Sequence, residues 1–206
     1  MNATIFLIII TILVSVGAWQ RRVLFEKMTF HAPSVLYKKE WHRVFSYGFL
    51  HANWGHLFIN MFVLWMFGRQ VEATYVYLFG IKGHILYLFL YLSAIIISTL
   101  YDLKKHRYNT NFQAVGASGA VSAILFAYIF LYPTQSIYFM FIPIGIPAIL
   151  FGILYLIYSS YMSKQNLDNV GHDAHFWGGV YGFLFVLPFQ WTLILSFFTR
   201  VMGIFQ

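Results

Sequence analysis

Apolar runs with scarcely a charge inside them recur along this chain, at 3–19, 55–71, 81–101, 116–132, 137–161 and 172–191. Crossing the hydrocarbon of a bilayer takes roughly 20 such residues as a helix. An unpaired backbone amide or carbonyl is costly there, so a spanning segment must satisfy both within itself, as a helix does. The expected fold is therefore all-α. It is a polytopic membrane protein of six transmembrane helices, in a single domain over 1–206 with its core at about 40–190.

Composition excludes the water-soluble alternative. Only 9% of the residues are charged and 60% are hydrophobic, against about 25% charged in a soluble domain. There is no cysteine, which removes disulfides, thiol nucleophiles and thiolate metal sites. The net charge of +7 comes largely from basic residues between the apolar runs, where anionic lipid headgroups are the simpler partner and nucleic acid is not expected. The first run lacks basic residues before it and a small-residue cleavage site after it, so it reads as a retained span rather than a signal peptide. Segment 20–54 mixes Arg21, Arg22, Lys27, Lys38, Lys39 and Arg43 with aromatics. It is too long for a plain connection and is expected to fold at the membrane interface. Pro143, Gly145 and Pro147 should loosen the first half of span 5. The apolar tail 192–206 is expected to lie along the interface.

Polar side chains at membrane depth are functional candidates by default. Three clusters qualify: His51, His56 and Asn60 entering span 2; Gly116-Ala117-Ser118-Gly119-Ala120 opening span 4; and His172, Asp173 and His175 opening span 6. All three stand at the N-terminal ends of even-numbered spans, which run in one direction in a simple serpentine. They therefore converge on one face. Serine hydrolysis needs a hydroxyl, a base and oxyanion donors. Ser118 offers the first and His175 the second; His56 and Asn60, four residues apart on one helix face, suit the third together with the Ser118 amide. Asp173, two residues from His175, points around the helix, so a dyad fits better than a triad. His175, Gly178 and Gly182 share a face, and small residues let helices approach closely in lipid.

Glu40-Trp41-His42-Arg43, His51-x4-His56-x3-Asn60, Gly116-Ala117-Ser118-Gly119 and Ala174-His175-x2-Gly178-x3-Gly182 stand in this order, each at the proper end of its helix. Together they resemble the rhomboid family of intramembrane serine proteases. The resemblance implies a six-helix bundle with a water-filled cavity and no cofactor or metal. Ser118 would be the nucleophile and His175 the base, with His56, Asn60 and Ser118 at the oxyanion hole. His51, Gly116, Gly119, Gly178 and Gly182 would support the site, Arg43 the first loop, and Glu72 the end of span 2. The substrates implied are single transmembrane helices. Span 5 and the 163–171 loop would form a gate and cap. The implied location is a bacterial plasma (inner) membrane with the site opening extracytoplasmically. The basic loops on that face run against the positive-inside rule, which a folded interfacial loop can violate.

Two departures stand out: His42, where the family often has a second Trp, and Ser122, where the family often carries an aromatic against the catalytic histidine. Phe112 and Trp177 are the expected substitutes for that aromatic. The departure at Ser122 keeps a second reading in play, a non-catalytic rhomboid-like scaffold for membrane clients. A small transporter is the third reading; it would distribute its polar residues through the bilayer depth rather than gather them at one end. Three imidazoles (His51, His56, His175) would suit zinc, but no carboxylate or thiolate completes the set. His172 and Asp173 read as loop and capping groups, and His31, His84 and His106 as incidental.

Overall fold

The computed structural model describes residues 2–138, 144–165 and 170–203. The chain is mostly helical. Helix α1 (Ala3–Trp19) is followed by three short helices, α2 (Arg22–Met28), α3 (Ala32–Lys38) and α4 (Arg43–Ser46). Next, α5 (Trp54–Val63) runs through a π-helical turn at Leu64–Gly68 into α6 (Arg69–Phe79). The remaining helices are α7 (Lys82–Lys105), α8 (Ser118–Leu131), α9 (Ala148–Gln165), α10 (His172–Leu184) and α11 (Leu193–Met202). Strands β1 (Ser136–Tyr138) and β2 (Gly145–Pro147) pair antiparallel.

The helix ends follow from local chemistry. Asn2 caps α1 by accepting from the Thr4 amide at 2.9 Å, and Asn53 caps α5 by accepting from the His56 amide at 2.8 Å. The chain reverses between α6 and α7 at Gly80, whose φ of +61° a side chain would disfavour. Beyond the turn, Gly83 lies directly on the Tyr75 backbone, so α6 and α7 pack without an intervening side chain.

Helix α8 is the axis of the molecule. Every residue of it except Ser118 is buried. On one side α10 lies against it, with Gly178 on the Gly119 backbone and Gly182 on the Ala123 backbone. On another side α7 brings Ser98 against Gly119. At its far end Arg200 of α11 donates to the Leu131 carbonyl at 2.5 Å, satisfying a terminal acceptor that no later turn can reach. Phe197 stacks on Phe130 at 5.3 Å, so the apolar tail forms a docked helix.

The outer surface is apolar. Leu13, Phe58, Ile85, Ile153, Ile157 and Leu195 are among its large exposed side chains, more than a water-facing surface carries without association. Among the described residues, one helix, Lys82–Lys105, is both long and apolar enough to cross a bilayer by itself; Ala3–Trp19, Ser118–Leu131 and Leu193–Met202 are apolar but shorter.

Two expectations change. In the described parts of the first half of span 5, β1 and β2 pair as strands instead of forming a loosened helix, so the fold is not purely α. Pro147 has no amide to donate and stands at the end of β2, and the helix starts only at Ala148. Pro143 lies outside the described residues. Span 6 ends as a regular helix at Leu184, before Pro188, where the amide needed to continue the ladder is missing. The 20–54 segment is folded, as expected. Arg43 Nη1 donates to the Glu26 and Thr29 carbonyls at 2.6 and 2.8 Å, and its Nε pairs with Glu40 at 2.5 Å. That hydrogen bond holds the Glu40 carboxyl below its usual range.

The glycine seam makes a prediction. Gly182→Ala drives a methyl into the Ala123 carbonyl and should destabilise the detergent-solubilised protein by about 2 kcal/mol or more. Gly17→Ala, in a helix position with open space around it, should stabilise by about 0.5–1 kcal/mol. Thermal unfolding followed by circular dichroism reads both.

Candidate active site

Ser118 is the first residue of α8, following Ala117, which offers no side-chain cap. The opening amides of a helix have no intrahelical acceptor, and the helix dipole makes that end electropositive. A developing oxyanion beside Ser118 would therefore find backbone donors already in place. Ser118, His56 and His175 are all half-buried, so none of them is sealed inside the protein.

Gly116 gives the site its approach. Its φ of +132° is open to glycine and strained for other residues. A Cβ on Gly116 would lie 2.7 Å from His56 Cε1, 3.0 Å from His56 Nε2 and 3.7 Å from Ser118 Oγ. The His56 imidazole and the Ser118 hydroxyl thus flank one glycine. Asn60 is buried on the same helix, its Nδ2 donating to the His56 carbonyl at 2.9 Å. That bond uses one of its two amide hydrogens and leaves the second for another acceptor.

His51 holds the strand of chain leading into Ser118. The Ala117 amide donates to His51 Nε2 at 3.4 Å, which makes that nitrogen the acceptor and assigns the proton to Nδ1. His51 Nδ1 lies 3.0 Å from Ser15 Oγ, and Ser15 donates onward to the Phe49 carbonyl at 2.8 Å. Trp19 Nε1 donates to the His51 carbonyl at 2.7 Å. The end of α1 thereby fixes the loop that fixes Ala117. Both ring nitrogens of His51 are engaged, so a His51–His56–His175 metal set would have to break this network first. From the first loop, Phe30 and Ala114 exchange backbone hydrogen bonds at 3.0 and 3.1 Å, and the Gly116 amide donates to the Tyr47 carbonyl at 3.1 Å.

His175 sits in the first turn of α10. Its neighbour Ala174 has its carbonyl oxygen 3.4 Å from where a Gly119 Cβ would stand, and Gly178 covers Gly119 one turn on. Ser118 and His175 therefore flank the same close contact of α8 and α10. Asp173 turns the other way. It accepts from Lys105 Nζ at 2.7 Å and Ser163 Oγ at 2.5 Å, tying the ends of α7, α9 and α10 together. Its role is this cross-helix tie instead of the expected cap, because the helix start already belongs to Gly171.

Other expected residues stand away from the mouth. Glu72 lies about 24 Å further along the helix from His56 at 1.5 Å per residue. Its carboxylate accepts from the Ala3 and Thr4 amides at 2.7 and 2.9 Å, from Thr4 Oγ1 at 2.7 Å, and meets His84 Nδ1 at 2.7 Å. It caps α1 from across the fold. His84 is thus a structural partner, not incidental. The same holds for His31, which meets Ser34 Oγ at 2.8 Å, and for His106, stacked on Phe112 at 3.6 Å.

The aromatic beside His175 is neither Phe112 nor Trp177. Phe112 is committed to His106 and Phe30, and Trp177 to Tyr101 and Phe176. Tyr155 of α9 takes the position, its ring centroid 6.2 Å from that of His175, with its hydroxyl 2.7 Å from Ser122 Oγ. His172 is also buried, against Tyr158 at 5.7 Å and His175 at 5.9 Å. The sequence signal for both was available: Tyr155 and Tyr158, like His172 and His175, are three residues apart and share a helix face.

A family model described as Rhomboid domain matches residues 38–192 of the 206. The chain belongs to the rhomboid family. It is also 28% identical over 152 residues to the RHOMBOID-like protein 12, mitochondrial, of Arabidopsis thaliana, a match covering 66% of this chain and 43% of that protein. The chain thus spans less than half the length of this curated relative. Rhomboids are integral to membranes, which accounts for the apolar exterior. A relative named mitochondrial lends no support to the bacterial inner membrane expected from the sequence.

The positive φ of Gly116 makes this segment testable. Gly116→Ala places a methyl against the His56 ring at a backbone angle unsuited to it, and should cost about 1–3 kcal/mol. A thermal melt should record the loss.

Proposed function

We propose that this rhomboid is an intramembrane serine endopeptidase that cleaves transmembrane helices with Ser118 as nucleophile and His175 as base. One observation carries the reading. Along the buried central helix α8, the single residue not buried is the serine at its open N-terminus. In the proposed mechanism His175 takes the Ser118 hydroxyl proton as Oγ attacks the scissile carbonyl. The Ser118 amide, His56 and Asn60 stabilise the resulting oxyanion. His175 then returns the proton to the leaving amine, and water, activated by the same base, releases the acyl group. With Asp173 engaged by Lys105 and Ser163, a dyad is the arrangement these contacts favour.

The six spans of the proposal are α1, the α5–α6 helix, α7, α8, α9 with the ribbon before it, and α10. Helix α8 has 14 residues, about 21 Å at 1.5 Å per residue. A hydrocarbon layer is about 30 Å thick. A serine at the end of so short a helix would lie below the membrane surface, where a cavity must bring it water. The scaffold reading rests on Ser122 lacking an aromatic side chain; Tyr155 beside His175 weakens that argument.

Purified protein in detergent should cut a reporter transmembrane helix bearing a small-residue segment. Ser118→Ala and His175→Ala should each abolish cutting without changing the melting temperature by more than about 3 °C. Undiminished cleavage in either variant would refute the dyad. A wild-type protein that binds the reporter and leaves it intact would favour the scaffold.

A further inference from the structure

Helix α9 is held far more lightly than its neighbours. Of its 18 residues it buries only Ala148, Gly152 and Ser159, while Ile153, Leu154, Ile157, Tyr158 and Tyr161 are exposed. Leu156 packs on Gly179 and Ser163 bonds to Asp173 on the α10 side, while the contacts of α9 with α8 are few and specific. Gly152 admits Ile129 and Phe126 of α8 to 3.0 and 3.3 Å of its absent Cβ. One turn on, Tyr155 packs on Phe126 at 5.6 Å, bonds to Ser122 at 2.7 Å and stands 6.2 Å from His175. Ser122 is one turn below Ser118 on the same face of α8. A single side chain therefore joins α9 to the helix bearing the hydroxyl and to the helix bearing the base.

We propose that Tyr155 is a positioning residue for His175, supplied from α9, so that the base is held for reaction only while α9 is seated against α8 and α10. This rests on the Ser118–His175 reading above. The physical case is as follows. A histidine acting as base must keep its ring in one orientation, and its rotation is limited by whatever walls it on the open side. On the α10 side His172 meets the ring; on the α9 side the wall is Tyr155. The Tyr155 hydroxyl bond to Ser122 fixes the tyrosine's depth. A lightly packed helix separates from its neighbours at low free-energy cost. Separation of α9 withdraws the same ring from His175. Chemistry would then be confined to the seated state.

The test is the rate at which a fluorophosphonate labels Ser118 in the full chain in detergent, resolved into the maximal rate kinact and the half-saturation constant KI. Tyr155→Leu removes the wall and should lower kinact about tenfold or more while KI stays within about twofold, since misplacing a catalytic group by about 1 Å can cost a hundredfold. Tyr155→Phe keeps the ring and should recover most of the rate. Tyr155→Phe and Ser122→Ala each remove the same hydrogen bond, so each should slow labelling by about threefold, and the double variant no further. These mild changes decide the question should Tyr155→Leu fail to fold. Unchanged kinact in Tyr155→Leu, equal losses in Leu and Phe, or independent effects in the double variant would overturn the proposal. A wild-type protein that does not label would overturn the dyad and this inference with it. A labelled wild type with unaltered variants would overturn this inference alone.

Discussion

The site depends on two backbone contacts, Gly178 on Gly119 and Gly182 on Ala123. Lipid provides no hydrophobic force to push helices together, so their association rests on close van der Waals packing, which side chains at the crossing would prevent. Glycine at both positions lets α10 lie directly on α8, and Ser98 of α7 closes on Gly119 from the other side. That crossing lies one residue beyond Ser118 in the chain and begins one residue before His175. Its geometry decides where the hydroxyl and the imidazole stand relative to each other. No loop contact would make up for a displaced crossing.

The approach to Ser118 depends on a different set of forces. Residues 114–117 are neither helix nor buried strand, yet their backbone groups are engaged by distant partners: Phe30 at Ala114, Tyr47 at Gly116, His51 at Ala117. Those partners are themselves anchored, Tyr47 through its hydroxyl to the Ile95 carbonyl of α7 at 2.8 Å and His51 to α1. The long first loop is thus the outer framework of the site, and the Arg43 hydrogen bonds to carbonyls of that loop keep it folded. Hydrogen bonds of this kind are stronger in a low-dielectric interior than in water, and they fix the segment leading into Ser118.

Much of this was legible in the sequence because membrane helices announce themselves by apolar length, and because polar residues in such runs are few. Gly178 and Gly182 spaced four apart revealed the close crossing, and His56 with Asn60 revealed a shared face. Three things were not legible. The pairing of Ser136–Tyr138 with Gly145–Pro147 depends on where Pro147 ends one element and lets another begin, which hydropathy does not register. The cross-helix roles of Asp173, Glu72 and His84 depend on helix ends that meet only in three dimensions. The aromatic beside His175 is neither Trp177, its neighbour in the chain, nor Phe112 in the loop before Ser118. It comes instead from α9, where Tyr155 is one of many aromatics in a chain that is 21% aromatic.

The claim at the centre is that Ser118 is made nucleophilic by His175. Peptide mapping by mass spectrometry after fluorophosphonate treatment tests it most directly. One adduct is expected, on Ser118, formed in the wild-type protein and missing when His175 is replaced by alanine in a chain that still melts cooperatively. An adduct on another serine, or one on Ser118 that forms at the same rate without His175, would contradict it.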